Sequence, residues 1–231
     1  MIIAEDLLLL AYDDRTGRPS LERTQLDYRL AGALLVELAL TGRVDVTSSA
    51  ATDLDGRPVG AGRVVVRDPS PTGHPALDHA LASVRARARA PKSLVAPLAK
   101  GLRDHLLAGL AARGILRRED GTVLWIFPTT SWPAADATHE TWLRATCHEV
   151  LLGVRDPDAR TAALLAIASG TPLVRGIVAP EHRRQAEARA KDLAAGSWAS
   201  AAVKKAVDEM QAAVMTAVMV AVTTSATATS G

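Results

Sequence analysis

The sequence lacks the residues and runs that mark several protein classes. It has a single cysteine, Cys147, so no internal disulfide can form, and a reducing compartment fits this usage. Its richest apolar run, residues 212–222, is about half as long as a membrane-spanning helix. The start, "MIIAEDLLLLAYDD", carries no basic leader and no small-residue cleavage site. We therefore expect neither a signal peptide nor a transmembrane segment.

Charge of one sign and aromatic side chains are also scarce. A formal net charge of +2 is too small for a protein that binds polyanions through its bulk charge, so an anionic partner needs a local basic patch. Aromatics make up 3% of the residues, while alanine, leucine, valine and arginine are abundant. With 231 residues and 48% hydrophobic content, the chain can fill one compact domain, and we expect closely packed aliphatic helices.

No catalytic signature is present in the sequence. The chain has no HExxH, GxSxG, P-loop or paired-cysteine pattern, and its six histidines show no metal-ligand spacing. Cys147 and His148 are adjacent in a helical pattern and point in different directions, which argues against a thiol–imidazole pair. Cys147 is instead expected to be a buried apolar side chain. The sequence thus predicts no catalytic residue, no metal site and no cofactor.

Hydrophobic periodicity predicts helices along most of the chain. Leucines recur at helical spacing from Leu26 to Leu40 and from Pro97 to Ala112, where Gly114 provides the stop. Residues 223–231 are small and polar, so we expect one domain over residues 1–222 followed by a flexible C-terminal tail. Further helices are predicted over residues 77–89, 140–154, 160–169, 173–178, 181–193 and 200–222, and residues 4–12 are expected to form a helix or a strand.

Two hairpins are predicted between the helices. Val44 and Val46, then Val64 and Val66, alternate with polar residues on either side of a polar loop. Asp120-Gly121, between "ILRRE" and "TVLWIF", is a strong hairpin-turn signal and predicts a second hairpin over residues 115–127. Together with the helices, these patterns predict a mainly α, single compact helical domain with short β-hairpins.

The apolar strand of the second hairpin needs a covering surface. As a strand, "TVLWIF" places Val123, Trp125 and Phe127 on one face, which is too apolar to stay exposed. Three alternatives remain for the surface that covers it: the protein's own core, a second subunit, or a lipid interface. At a lipid interface tryptophan is favoured, and Arg117 and Arg118 would meet anionic head groups. We expect the hairpin to project, so that Arg117, Arg118, Trp125 and Phe127 contact a membrane or form a homo-oligomer.

Several stretches form an ordered set that runs along nearly the whole chain. They are "EDLLLLAYDDRTG", "LLVELALTGRV", "DPSPTGHPALDHAL", "LAARGILRRED" and "LWIFPTTSWP", with weaker similarity through "RTAALLAIASG" and "VAPEHRRQAEARAKDL". Together they resemble the Golgi phosphoprotein 3 family, peripheral membrane proteins that recognise phosphatidylinositol 4-phosphate on Golgi membranes. The resemblance implies a mostly helical domain and a non-enzymatic role. We expect a short, bacterial-type member that lacks the basic N-terminal tail of the eukaryotic proteins.

The resemblance also implies a pocket for a lipid head group. In the family this pocket uses a tryptophan and an arginine from the early region, together with two basic residues on a later helix. The later pair falls on Lys100 and Arg103, which fit the pattern. The early two fall on Glu22 and Ala31, which do not. The resemblance therefore implies a pocket in which half of the family's residues are retained.

Spacing gives the retained pair a physical role. Lys100 and Arg103 are three residues apart on a helix expected to begin near Pro97, so they would share a face close to its positive N-terminal end. Lysine and arginine beside a helix N-terminus favour an anion, and the alternative for this pair is a solvated basic face of the helix. Arg23 and Arg29 are the neighbours expected to offset the glutamate at the family's tryptophan position. These four cations are the predicted head-group site.

Two function classes remain open at this point. The favoured one is a cytoplasmic, peripherally membrane-associated protein that binds anionic phospholipid head groups at the membrane surface and no nucleic acid. The alternative is a winged-helix-like nucleic-acid-binding module, in which "RARARAPK", Arg117 and Arg118 contact phosphates. Its weakness is the lack of a concentrated positive face. An enzyme assembled from scattered residues such as Asp14, Arg29 and His105 has the least support.

Overall fold

Ten α-helices and three pairs of short antiparallel strands make up the part of the chain that the computed structural model describes, residues 1–123, 127–196 and 204–228. This confirms the prediction of a mainly α, compact domain with short hairpins. The helices are α1 Ile3–Ala11, α2 Arg23–Leu40, α3 Pro75–Ala86, α4 Lys92–Ala99, α5 Leu102–Ala112, α6 Thr138–Leu151, α7 Ala159–Ala168, α8 Pro172–Ile177, α9 Arg183–Ala194 and α10 Lys204–Ala228. The strands are β1 Val44–Val46, β2 Ala51–Thr52, β3 Pro58–Val59, β4 Val64–Val66, β5 Glu119–Val123 and β6 Phe127–Ser131.

Helix α2 lies at the centre of the fold and contacts α1, α4, α7 and α10. Every residue from Leu30 to Ala39 is buried, as expected for a helix that packs against neighbours on all sides. Gly32 lets α10 come close, because a Cβ atom placed there would lie 2.0 Å from Cγ2 of Val214. The missing side chain at Gly32 therefore sets how tightly α2 and α10 pack.

Helix α1 is buried along its whole length, including its two charged residues, Glu5 and Asp6. Glu5 is 1% exposed, and its Oε1 atom lies 3.0 Å from Nε2 of His74 and also contacts the guanidinium of Arg113. Burial raises the pKa of the Glu5 carboxyl, but hydrogen bonds from His74 and the Ile2 N–H and the charge of Arg113 bring the net pKa below its ordinary value. Glu5 thus joins α1 to the segments before α3 and after α5.

Asp6 makes a second buried ion network on the same helix. Its carboxylate lies 2.8 Å from Nε2 of His139 and accepts a 2.8 Å hydrogen bond from Arg160. Arg160 also donates to Glu37 of α2 at 2.8 Å, and Glu37 accepts from the Ile3 N–H at 2.6 Å. These contacts join four segments of the chain. Removing one partner from such a network leaves a buried charge uncompensated, so the acids of "EDLLLL" are structural.

The first predicted hairpin is confirmed. Strands β1 and β4 pair antiparallel, with Val44 opposite Val66 and Val46 opposite Val64. The loop between them contains a further two-residue pairing of β2 with β3, which the sequence analysis did not predict. Two-residue strands carry too little alternation to be recognised from their pattern.

The second hairpin exists, but its predicted turn is wrong. Asp120 and Gly121 lie inside β5, opposite Thr130 and Thr129 of β6, and Val123 pairs with Phe127. A tight two-residue turn needs a positive φ at its glycine, and Gly121 does not adopt one. The Thr130 hydroxyl instead donates a 2.8 Å hydrogen bond to the carboxylate of Asp120. Asp120 is therefore part of a cross-strand pair and not of a turn. Val123 is the last residue of β5, and Phe127 is the first residue of β6.

The predicted helix from Pro97 to Ala112 is also wrong, because two helices occupy this region. Helix α4 contains Pro97 in its interior and ends at Ala99, and α5 begins at Leu102. Gly101 separates them with a left-handed backbone (φ 72°), which interrupts an α-helix. At the other end of the chain, the predicted flexible tail, residues 223–231, overlaps the end of α10, and its flexibility stays a prediction.

Candidate functional site

Lys100 and Arg103 lie on either side of the break between α4 and α5. Lys100 is the C-terminal capping residue of α4, and Arg103 belongs to the first turn of α5. The expectation that both residues share one face of a single helix is therefore wrong. The left-handed turn at Gly101 sends the chain in a new direction between them.

Lys100 lines a cavity of about 270 Å³ at this break. Two exposed histidines, His79 of α3 and His105 of α5, line it as well. The residue that caps α5, Gly101, has no side chain to bond the first-turn N–H groups of that helix. The cavity therefore combines one cation, two imidazoles and a helix N-terminus, an arrangement suited to an anion. Its remaining wall is mostly apolar and consists of Leu34, Pro75, Ala76, Leu98 and Leu102.

Arg103 faces a carboxylate of α2. Its side chain is 8% exposed, and its Nε atom lies 3.6 Å from Oδ1 of Asp27, while NH2 lies 3.6 Å from Oδ1 of Asp104. Burial raises the pKa of Asp27, and the charges of Arg103 and Arg23 partly oppose this rise. Arg23 is exposed at the start of α2. The structure thus brings Arg23 and Arg103 to the same carboxylate.

The Asp27 pair and the Lys100 cavity lie along one side of α2. Asp27 and Leu34, which lines the cavity, are seven residues apart and therefore occupy the same face of the helix. Two turns of helix separate them by about 10 Å. Lys100, Arg103 and Arg23 consequently border one strip of surface, although no single pocket contains all three.

The two positions where the chain departs from the family pattern have structural roles. Glu22 is the N-cap of α2, and its carboxylate accepts a 2.9 Å hydrogen bond from the Gln25 N–H. Burial raises its pKa, but hydrogen bonds from the Thr24 and Gln25 N–H groups lower it more, so Glu22 stays charged. Ala31 is fully buried inside the helical body. Neither position contributes a cation to the strip.

Arg29 lies apart from the other predicted head-group residues. It is 2% exposed, and its guanidinium donates to the backbone carbonyl of Ile167 in α7. Burial lowers its pKa to about 10. Because Asp27 and Arg29 are two residues apart on α2, they point to nearly opposite sides of the helix. Arg29 therefore faces the interior, and the structure does not bring it to Arg103.

The hairpin arginines are exposed and paired with acids of the same hairpin. NH2 of Arg117 lies 2.7 Å from Glu119, and Nε of Arg118 lies 3.1 Å from Asp120. The Arg118 guanidinium also sits over the ring of Trp132, 5.9 Å from its centroid. Trp125 falls outside the described residues, and Phe127 is described only as the first residue of β6.

The base of the hairpin is anchored to the turn after α1. The Trp132 N–H donates a 2.9 Å hydrogen bond to the carbonyl of Gly17, and the Ala134 N–H donates one of 2.9 Å to the carbonyl of Asp14. Gly17 has a φ of 61°, and a Cβ atom there would lie 2.3 Å from the Trp132 nitrogen. Only glycine fits this close approach, so the hairpin is held in a fixed position at its base.

Groups that could support catalysis are separated in the structure. Cys147 is buried, and burial raises its pKa to about 12, so the thiol stays protonated. Asp14 hydrogen bonds with Glu140 of α6, His105 lines the cavity of Lys100, and Arg29 is buried against α7, so each of the three has a different environment. Within the described ranges, no three His, Cys, Asp or Glu side chains are arranged to hold a metal ion.

None of the helices in the described ranges combines the length and the apolar character that crossing a bilayer requires.

Fold and site define a mainly helical protein with a cationic cavity at a helix break. A family model described as Golgi phosphoprotein 3 (GPP34) matches residues 3–210. The chain therefore belongs to the Golgi phosphoprotein 3 family, which confirms the resemblance seen in the sequence.

A curated relative supports the same family. The vacuolar protein sorting-associated protein 74 of Eremothecium gossypii (strain ATCC 10895 / CBS 109.51 / FGSC 9923 / NRRL Y-1056) is 29% identical to the chain over 155 residues. The match covers 60% of this chain and 45% of the relative, so the chain aligns with less than half of that protein's length. Neither comparison supports the nucleic-acid-binding alternative.

Proposed function

We propose that the chain is a non-enzymatic, cytoplasmic peripheral membrane protein that binds anionic phospholipid head groups of the phosphoinositide type. The observation that carries the proposal is the cavity in which Lys100, His79 and His105 meet the uncapped start of α5. Membership of the Golgi phosphoprotein 3 family supports a phosphoinositide as the ligand. The membrane is the partner in this proposal, and no nucleic acid is involved.

The cavity offers complementary chemistry to a phosphate monoester. Lys100 supplies a mobile positive charge, and the first-turn N–H groups of α5 supply donors aligned with the positive end of the helix dipole. The imidazole rings of His79 and His105 add ring nitrogens that can hydrogen bond with the phosphate. The apolar wall allows the sugar-like ring of a head group to pack while the phosphate meets the donors.

Arg103 and Arg23 extend the positive strip beyond the cavity. Arg103 is not closely hydrogen bonded to Asp27, because the 3.6 Å separation exceeds ordinary hydrogen-bond length. A second lipid phosphate on the strip beside the cavity can therefore compete with Asp27 for the Arg103 guanidinium. Arg29, buried against α7, contributes to the helical body and not to this surface.

The hairpin β5–β6 is proposed as a second contact, with a membrane or with a second subunit. Arg117 and Arg118 are paired with neighbouring acids, but exposed ion pairs are weak and can exchange for lipid phosphates. The change Arg117→Gln with Arg118→Gln should lower vesicle binding several-fold and make its dependence on salt less steep, because two ionic contacts are lost. Unchanged binding with an unchanged molar mass in light scattering would remove the hairpin from the proposal.

The central test measures co-sedimentation with vesicles of phosphatidylcholine that contain or lack phosphatidylinositol 4-phosphate. Lys100→Gln removes the cavity's lysine, and Lys92→Gln removes an exposed lysine at the other end of α4. We expect binding to require the phosphoinositide, to weaken with salt, and to fall about tenfold in the Lys100 variant only. Equal binding by wild type to both kinds of vesicle, or equal effects of the two variants, would refute the proposed site.

A further inference from the structure

A second cavity, of about 550 Å³, lies at the opposite end of α3 and α4 from Lys100. Its walls come from the β2–β3 hairpin, the end of α3, the linker to α4 and the first turn of α4. Helix α3 is 12 residues long, so its length of about 18 Å separates the two cavities. Four arginines line the second cavity, against a single carboxylate: Arg57, Arg63, Arg87 and Arg89, with Asp53.

The carboxylate is already neutralised by one of the four arginines. Nε of Arg57 lies 2.8 Å from Oδ2 of Asp53, and Arg57 also pairs with Asp55 at 2.9 Å and donates to the carbonyl of Arg85 at 2.6 Å. Arg57 therefore fastens the β2–β3 hairpin to the end of α3. This leaves the other three arginines of the cavity without an ion-pair partner among residues 1–123, 127–196 and 204–228.

Backbone geometry explains why arginines from different segments converge. The Val64 N–H donates a 2.8 Å hydrogen bond to the carbonyl of Arg89, which holds the linker beside β4. Arg87 has an extended backbone (φ −158°, ψ 115°). Arg87 and Arg89, two residues apart in this linker, both line the cavity. Arg63, directly before β4, approaches from the neighbouring segment.

We propose that this cavity binds a compact ligand that carries two or more phosphate groups. A guanidinium group can donate two hydrogen bonds to the oxygens of one phosphate, and three guanidinium groups whose neighbouring cavity carboxylate, Asp53, is paired with Arg57 suit more than one phosphate. The volume fits a phosphorylated ring or a diphosphate. A long polyanion is less suited, because the arginines converge on a cavity and the chain as a whole has a net charge of only +2. The ligand is either a free polyphosphate or the head group of a multiply phosphorylated lipid.

The binding test is isothermal titration of the full chain with pyrophosphate. The variant Arg87→Gln with Arg89→Gln removes two cavity charges, and Arg183→Gln with Arg184→Gln removes two exposed charges of α9 that lie outside this cavity. We expect saturable binding with one ligand per chain, at least tenfold weaker in the first variant and within twofold of wild type in the second. Lys100→Gln should leave this binding unchanged, which separates it from the head-group site.

Two further experiments, one with vesicles and one with duplex DNA, identify the source of the phosphates. If vesicles with phosphatidylinositol 4,5-bisphosphate bind through Arg87 and Arg89 and also compete with pyrophosphate, the ligand is a lipid head group. If pyrophosphate binds but the Arg87→Gln, Arg89→Gln variant binds vesicles as well as wild type does, the ligand is a soluble polyphosphate. The proposal is overturned if wild type shows no saturable binding at millimolar pyrophosphate, if both arginine variants weaken it equally, or if only duplex DNA binds through these residues.

Discussion

The Nε atom of Arg103 lies 3.6 Å from Oδ1 of Asp27, so a cation of the predicted head-group site faces a half-buried carboxylate of the central helix. The distance is too long for a hydrogen bond but short enough for strong electrostatic attraction. A lipid phosphate that approaches Arg103 must therefore compete with Asp27. Affinity for anionic lipid is expected to depend on this acid as much as on the cations.

The change Asp27→Asn should increase affinity for phosphatidylinositol 4-phosphate vesicles. It removes the competing charge and keeps the side chain's shape, and we expect a gain of about threefold to tenfold, on the order of 1 kcal/mol. Vesicle titration measures it, with thermal unfolding as a check of folding. Asp104→Asn, at an exposed acid equally close to Arg103, is the matched control and should have a smaller effect. Unchanged affinity in the Asp27 variant would place Arg103 outside the site.

The contact between Gly32 and Val214 predicts a size-dependent loss of stability. Alanine at an exposed helical glycine normally stabilises by about 0.5–1 kcal/mol, but at Gly32 its Cβ would lie 2.0 Å from Val214, and the clash outweighs the gain. We expect Gly32→Ala to lower the free energy of unfolding by about 2 kcal/mol and Val214→Ala to rescue part of the loss. Urea unfolding of the single and double variants measures this coupling.

Gly109 of α5 is the matched control for this prediction. It is an exposed helical glycine, and an added Cβ there meets no atom within 4 Å. Gly109→Ala should therefore stabilise the protein slightly. Similar effects of alanine at Gly32 and Gly109 would show that α10 does not pack against α2 as the structure describes.

Glu140 predicts a loss of stability at alkaline pH. The carboxyl is buried, and burial together with a hydrogen bond to Asp14 raises its pKa to about 8, against the opposing pull of Arg144. Because the folded state holds the proton more tightly than the unfolded state, stability falls as the pH rises from the ordinary value of 4.5 through about 8. Glu140→Gln mimics the protonated carboxyl and should flatten this fall, adding on the order of 2 kcal/mol at pH 9.

Urea midpoints at pH 6 and pH 9 test the Glu140 prediction. Glu149→Gln changes an exposed acid of the same helix and should leave the pH dependence as in wild type. If Glu140→Gln loses as much stability between the two pH values as wild type does, another group is responsible for the alkaline loss.

Local patterns in the sequence predicted the helical body well. The leucine spacing of α2 and the alternating valines of β1 and β4 match the structure, because both patterns record which face of an element is buried. Local signals failed where a neighbouring segment decided the outcome. Asp120-Gly121 became strand because Thr129 and Thr130 lie opposite, and the helix after Pro97 was divided at Gly101, whose left-handed conformation leucine spacing does not reveal.

The arrangement of the predicted head-group residues did not follow from the sequence, and their role in binding stays a prediction. Lys100 and Arg103 were recognised through the family resemblance, but the histidines that line the cavity with Lys100 were missed, because His79 and His105 belong to different helices with no shared motif. A lysine followed by glycine at the end of a leucine pattern was the available signal for a helix break. Arg29 was predicted for the site because it is close in sequence to Glu22 and Ala31, but its side chain faces the interior.

The sequence by itself determined the family, the mainly helical composition and most helix positions, since each of these depends on residues within a few turns of one another. Only the tertiary structure decided which charges meet. Glu5 with Arg113, Asp6 with Arg160, and Asp27 with Arg103 are each joined across long stretches of chain by the packing of helices. Such pairs leave no periodic trace in the sequence, because a charge finds its partner through the position and rotation of two whole elements in space.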